Sequence, residues 1–174
     1  MTDRFAHRLK LDQVSDGERV ELVADELERR SVAERLGLGG LHCLQAHATL
    51  TRKGALIEAD GRIVASLEQS CVVTGAPVPS HVDEPFSMIF MPAPQGARSD
   101  EELQLGPADC DVVFYDGNMI DLGAAIADTL ALSLDPYPRS AGADAALKEA
   151  GILTEADAGP FAALAQLKKG SDIP

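Results

Sequence analysis

The feature of this chain that most constrains its fold is a long alternation of apolar and polar residues in its middle third. Apolar residues recur at nearly every second position through 44–50, 57–71 and 78–90. A period of two is the side-chain period of a β-strand that buries one face. Because this pattern is typical of antiparallel sheets, we expect long neighbouring strands with one face in the core and the other in solvent.

The second alternating segment contains Asp60-Gly61, a dipeptide that is typical of a tight hairpin turn. The apolar parity nevertheless continues without a break from Ile57 to Cys71. A single strand that bends at its glycine keeps this parity most simply, since glycine inside a strand often marks a bend or bulge. We therefore favour one long strand over 57–71, with a hairpin as the alternative.

The third segment and the residues after it carry different signals. Pro79 and Pro85 cannot donate ladder hydrogen bonds, so this strand is expected at a sheet edge or with a bulge. From 92 to 109 the periodicity is lost, and acidic residues, prolines and glycines accumulate. We expect a mobile acidic loop near 92–109.

Helical periodicity appears on both sides of the alternating region. The clearest helix covers 122–134 behind a capping Asp121, and its apolar residues recur every four positions: Leu122, Ile126, Leu130 and Leu134. A shorter helix begins with Asp25 and Glu28, which resemble a capping box, and ends at Gly37.

These elements, with short strands near 19–23 and 112–115, predict an α+β domain. Its sheet is expected to be mainly antiparallel and curled, with about five or six strands packed by two or three helices. The single domain is expected over 1–140, because 174 residues suit one domain of ordinary size. Residues 141–174 are expected to form an Ala-rich C-terminal extension with a short helix near 160–169.

Charge and hydropathy limit the possible partners and location. The 28 acidic and 15 basic residues leave a net charge of −13, which repels phosphate and disfavours sequence-independent nucleic-acid binding. The sequence has neither an apolar run that could span a bilayer nor the apolar core of a signal peptide. We expect a cytoplasmic protein without membrane contact.

The cysteines predict neither a disulfide framework nor a metal site. Cys43, Cys71 and Cys110 contain no C-x-x-C pair. Cys71 shares the parity of the core side of its strand. We therefore expect it to be buried, protonated, unligated and chemically inert.

Residues that could carry a function are few. The sequence contains no nucleophile motif, glycine-rich phosphate loop or H-E-x-x-H, so we expect no enzyme, no catalytic residue and no cofactor. His47 and His81 lie on polar strand faces and are expected to be solvated. The candidate RNA contacts, with solvated turn charges as the alternative, are Arg52, Lys53, Arg4, Arg8 and Lys10. The candidate contacts for a basic partner are Asp100, Glu101 and Glu102.

Two linked segments resemble the YceD-type proteins, the large ribosomal RNA accumulation family. The first is Gln69–Phe90, with Cys71-Val-Val-Thr74 near its start, and the second is Ile120–Pro138. The resemblance covers most of the expected domain, and the tail Phe161-Ala-Ala-Leu-Ala-Gln-Leu-Lys is also similar to family tails.

The resemblance has implications for metal binding and for function. Many members carry C-x-x-C where this chain has Cys71-Val-Val-Thr74, and further cysteines where it has Pro138-Arg-Ser140, and those members look able to bind zinc. Only Cys71 of that set is present, so the resemblance carries no metal site over to this chain. It implies a cytosolic bacterial protein needed for normal levels of large-subunit ribosomal RNA, often encoded beside a large-subunit ribosomal protein.

Together these observations predict a non-enzymatic factor in large-subunit rRNA processing or ribosome assembly that binds a basic ribosomal or RNA-processing protein. Direct RNA binding is the alternative route. The rival class is a hydrolase or nuclease that uses carboxylates of the acidic loop between Asp100 and Asp111 with a divalent metal.

Overall fold

The computed structural model describes residues 5–93 and 111–152, which contain seven strands and three helices. In chain order these elements are β1 Arg8–Lys10, β2 Glu18–Val23, α1 Glu26–Leu36, β3 Gly40–Lys53, β4 Leu56–Ser70, β5 Pro77–Pro92, β6 Asp111–Tyr115, β7 Met119–Asp121, α2 Leu122–Ser133 and α3 Ala143–Glu149.

Five strands form one sheet in the order β2-β3-β4-β5-β6, and β1 pairs with β7 in a separate antiparallel ribbon. The pairs β2–β3 and β3–β4 are antiparallel. Side-chain contacts from Asp60 to Ser87 and from Ser66 to His81 show that β4 and β5 are also antiparallel. The last pair, β5–β6, is parallel. The α+β class is confirmed, and the sheet is mixed, not purely antiparallel, because the chain returns to β6 by a crossover.

The residues 57–71 that admitted a strand or a hairpin lie almost wholly in the single strand β4. Gly61 is the point of closest approach. A Cβ there would collide with the carbonyl oxygen of His47 and lie 2.7 Å from Cζ of Phe86. Glycine is therefore required by the neighbouring backbone and ring, and not by a turn.

The prolines of β5 lie where the strand has one neighbour. β6 pairs with β5 only from Met88 to Pro92, so Pro79 and Pro85 precede the paired segment. The strand as a whole has a neighbour on each side, and the missing N–H groups fall on the part that β6 does not reach.

The core of the larger unit lies on one face of the sheet. Alternate residues of the long strands are fully or almost fully buried there, among them Leu50, Ile57, Ile63, Met88 and Phe90. The same buried cluster includes Leu122, Ile126 and Leu130 of α2, as the helical spacing predicts.

The caps of both predicted helices are also confirmed. Asp25 and Glu28 form a reciprocal capping box, and Gly37 ends α1 in the left-handed conformation. Asp121 accepts a hydrogen bond from the backbone N–H of Ala124 at 3.0 Å. The sequence placed Leu27 on the buried face of α1, which is wrong: it is 56% exposed. Leu27 is five residues from the buried Val32, which corresponds to about 140° around the helix.

The described residues divide into two compact units. The larger comprises 5–69, 79–93 and 111–136, and the smaller comprises 70–78 and 137–152 with α3. No helix among these residues combines the length and the apolar character needed to cross a bilayer. The predicted helix near 160–169 and residues 94–109 of the predicted acidic loop lie outside the described ranges.

Candidate functional site

The two central candidate cations, Arg52 and Lys53, end β3 at the turn into β4. The Nη1 of Arg52 donates to the carbonyl oxygen of Leu11, and its Nε donates to the carbonyl oxygen of Gly54 at 3.2 Å. The Nζ of Lys53 lies 2.7 Å from Oε1 of Glu58. This hydrogen bond and the charge of Glu58 raise the pKa of Lys53, so the amine stays protonated.

The N-terminal candidates lie on or before β1. The Nε of Arg8 is 3.5 Å from Oδ2 of Asp121. Lys10 is exposed, and the described residues offer it no ion pair. Because Arg52 contacts Leu11, the structure brings Arg52 and Lys53 close to Lys10. Arg4 lies outside the described residues.

This arrangement leaves a small cationic area that is already partly neutralised. Arg8 and Lys53 each have a carboxylate partner, and the guanidinium of Arg52 is held by backbone carbonyls. The contacts are exposed, and exposed ion pairs contribute only about 0–1 kcal/mol, so a phosphate could compete for them. An incoming phosphate would nevertheless have to displace Glu58 or Asp121.

The candidate acidic contacts Asp100, Glu101 and Glu102 lie outside the described residues. The other carboxylates that the sequence offered as acid and base are apart and engaged. Asp83 accepts a hydrogen bond from Nε of Arg62, which lowers the pKa of that carboxyl. Asp121 caps α2 and also accepts from the backbone N–H of His7 at 3.1 Å. Within residues 5–93 and 111–152, no three His, Cys, Asp or Glu side chains converge as metal ligands.

The histidines His47 and His81 are exposed on the outer face of the sheet, as expected. The Nδ1 of His81 lies 3.3 Å from the hydroxyl of Ser66. A third histidine, His42, places Nε2 at 3.5 Å from Oε1 of Glu68.

Cys71, in the smaller unit, is buried, as predicted from its parity. The expectation of an ordinary protonated thiol is wrong. Its Sγ accepts hydrogen bonds from the backbone N–H of Ser140 at 3.3 Å, the hydroxyl of Ser140 at 3.4 Å and the backbone N–H of Thr74 at 3.5 Å. These donors, Ser140 first, lower the pKa of Cys71 to about 6, although burial acts in the opposite direction.

Sequence reasoning did not bring Ser140 and Thr74 to Cys71. Their hydroxyls also contact each other at 3.2 Å, so the three side chains form one polar cluster. The signal that could have found it is the resemblance itself, because Thr74 and Ser140 fall in the two segments where many YceD-type members carry cysteines. Parity alone predicts the burial of a thiol but not its donors.

Comparison with known proteins gives one match. Residues 59–168 match the model of the family described as large ribosomal RNA subunit accumulation protein YceD. No curated protein matches the chain, and no solved structure matches it.

Proposed function

This chain belongs to the YceD family of large ribosomal RNA subunit accumulation proteins, and from that premise we propose that it supports large-subunit rRNA accumulation as a non-enzymatic assembly factor. In this proposal it acts in the cytoplasm by binding a basic ribosomal or RNA-processing protein. The family description supports the involvement in large-subunit accumulation, and the route through a protein partner is inferred from charge.

The observation that carries the protein route is the internal engagement of the candidate RNA contacts. Lys53 is paired with Glu58 at 2.7 Å, and Arg52 is held by two carbonyl oxygens. RNA would have to break these contacts against a net charge of −13. A lysine-rich protein would meet a surface of the opposite sign.

Direct RNA binding is the second candidate. It is favoured by the contact of Arg52 with Leu11, which gathers Lys10, Arg52 and Lys53 at one end of the sheet. These contacts are exposed, so phosphate competition is physically possible.

The experiment is recovery of the tagged full chain from its own cells, with and without nuclease treatment, combined with rRNA quantification in cells that lack it. We expect a basic ribosomal or RNA-processing protein to remain bound after RNA is digested, and large-subunit rRNA to fall in its absence. Loss of every bound protein after nuclease treatment would contradict the protein route. Unchanged large-subunit rRNA would contradict the role in accumulation.

A further inference from the structure

The outer face of the sheet carries an apolar area at its β5–β6 corner. Met88 and Phe90 are buried in the core, so Ile89 and Met91 between them point to the opposite face. In the parallel register Ile89 pairs with Val112 and Met91 pairs with Phe114. These four residues, Ile89, Met91, Val112 and Phe114, form the corner patch.

The corner patch contains an exposed aromatic residue. Ile89, Met91 and Val112 are partly exposed, and Phe114 is 49% exposed. Single exposed apolar residues are ordinary, but adjacent ones that surround a large aromatic side chain are typical of protein interaction sites. Aromatic side chains of this kind often supply most of the binding free energy at an interface.

The charge around the corner patch is acidic. Neither β5 nor β6 contains lysine or arginine, whereas they contain Asp83, Glu84 and Asp111. Asp60 of β4 reaches the same face, because its Oδ1 accepts a hydrogen bond from Ser87 at 2.6 Å, two residues before Ile89. A partner that covers this corner would therefore bring apolar side chains together with cationic ones.

We propose that the corner patch is the docking site for a lysine- or arginine-rich protein segment that places an apolar side chain against Phe114 and a cation beside Asp60. This inference rests on the proposed function and names the surface through which it operates. The complementary charge on β5 and β6 is what selects a basic partner over a neutral or acidic one.

The test uses the full chain and the proteins of purified large ribosomal subunits, freed of RNA by nuclease. The protein that binds is identified, and its affinity is measured for the unchanged chain and for three variants. Phe114→Ser is expected to weaken binding by about tenfold or more. Asp60→Asn is expected to weaken it by about threefold and to reduce its dependence on salt. Leu132→Ser is the matched control, because Leu132 is 78% exposed on α2 and should change the affinity by less than about twofold.

Thermal unfolding of each variant separates loss of binding from loss of structure. A ribosomal protein that binds equally well to Phe114→Ser would overturn the docking site and leave the proposed function standing. Absence of binding by every protein of the mixture would overturn the docking proposal, and recovery after nuclease treatment in cells decides whether the proposed function fails too. A dimer of this chain that Phe114→Ser dissociates, with partner binding unchanged, would assign the patch to a second copy and also overturn the proposal.

Discussion

Leu130 shows how a single side chain fixes α2 to the core. It is fully buried in the same apolar cluster as the inner residues of the sheet. Leu130→Ala removes this packing and leaves a cavity, so we expect the free energy of unfolding to fall by about 2–5 kcal/mol. Chemical denaturation of the variant measures the loss.

The control for Leu130 lies on the same helix. Leu132→Ala truncates a side chain that is 78% exposed and should cost less than about 0.5 kcal/mol. An equally small loss for Leu130→Ala would place that residue outside the core and contradict the packing of α2.

Cys71 provides a residue-scale prediction about pH. Ser140→Ala removes the hydroxyl donor to Sγ, so the pKa of Cys71 should rise from about 6 toward its ordinary value near 9. The chemical shift of the cysteine Cβ, followed by NMR as a function of pH, measures the change. Ser66→Ala is the control, since Ser66 contacts His81 and not the thiol.

The same group makes the stability of the fold depend on pH in one direction. A thiol whose pKa is lower in the folded state contributes no stability from its ionisation below about pH 6, and its contribution grows as the pH rises toward 9. The difference in unfolding free energy between the unchanged chain and Ser140→Ala should therefore widen over this interval. A difference that is constant with pH would contradict the role of Ser140 as a thiolate donor.

At the scale of elements, Gly61 determines how the long strand β4 passes its neighbours. Gly61→Ala would press a methyl group against the His47 carbonyl and the Phe86 ring. We expect a loss of about 1–3 kcal/mol in the free energy of unfolding from this overpacking. Gly54→Ala would be a poor control because Gly54 has a positive φ of 67°.

Ala55→Gly gives a better comparison, since Ala55 is exposed in the turn and has no Cβ packing to lose. Its cost should stay below about 1 kcal/mol. If Gly61→Ala were as stable as the unchanged chain, the close approach between β3, β4 and β5 would be contradicted.

The elements that could be predicted are those with a long or well-bounded pattern. The alternation placed β3, β4 and β5, and the capping residues Asp25 and Asp121 placed the starts of α1 and α2. β1 and β7 were missed because strands of three residues contain too little periodicity to recognise. α3 was missed for a related reason: it spans seven residues in an Ala-rich segment and begins without a side-chain cap.

Strand direction and site geometry lie beyond such patterns. The alternation in β5 and β6 is the same whether they run parallel or antiparallel, so the parallel pair could not be predicted. The corner patch depends on that pairing, because Met91 meets Phe114 only in the parallel register. The pairing of Lys53 with Glu58 likewise needs the turn between β3 and β4 to be folded.

At the scale of the whole molecule, charge determines which partner can approach. The net charge of −13 opposes RNA at long range and attracts a basic protein, and this effect weakens as salt screens it. The two routes therefore differ in which substitutions matter. The protein route depends on acidic residues such as Asp100, Glu101 and Glu102, and the RNA route depends on Arg52, Lys53, Arg4, Arg8 and Lys10.

The most direct measurement is a salt titration of binding by the purified chain to its RNA-free protein partner and, separately, to structured large-subunit rRNA. Our account predicts that Asp100→Asn, Glu101→Gln and Glu102→Gln together weaken partner binding and flatten its salt dependence, while Arg52→Ala with Lys53→Ala leaves it unchanged. Tight rRNA binding at physiological salt would contradict the account if it were lost with Arg52 and Lys53, at about 0.7 in salt slope per single-strand phosphate contact, and unaffected by the acidic substitutions.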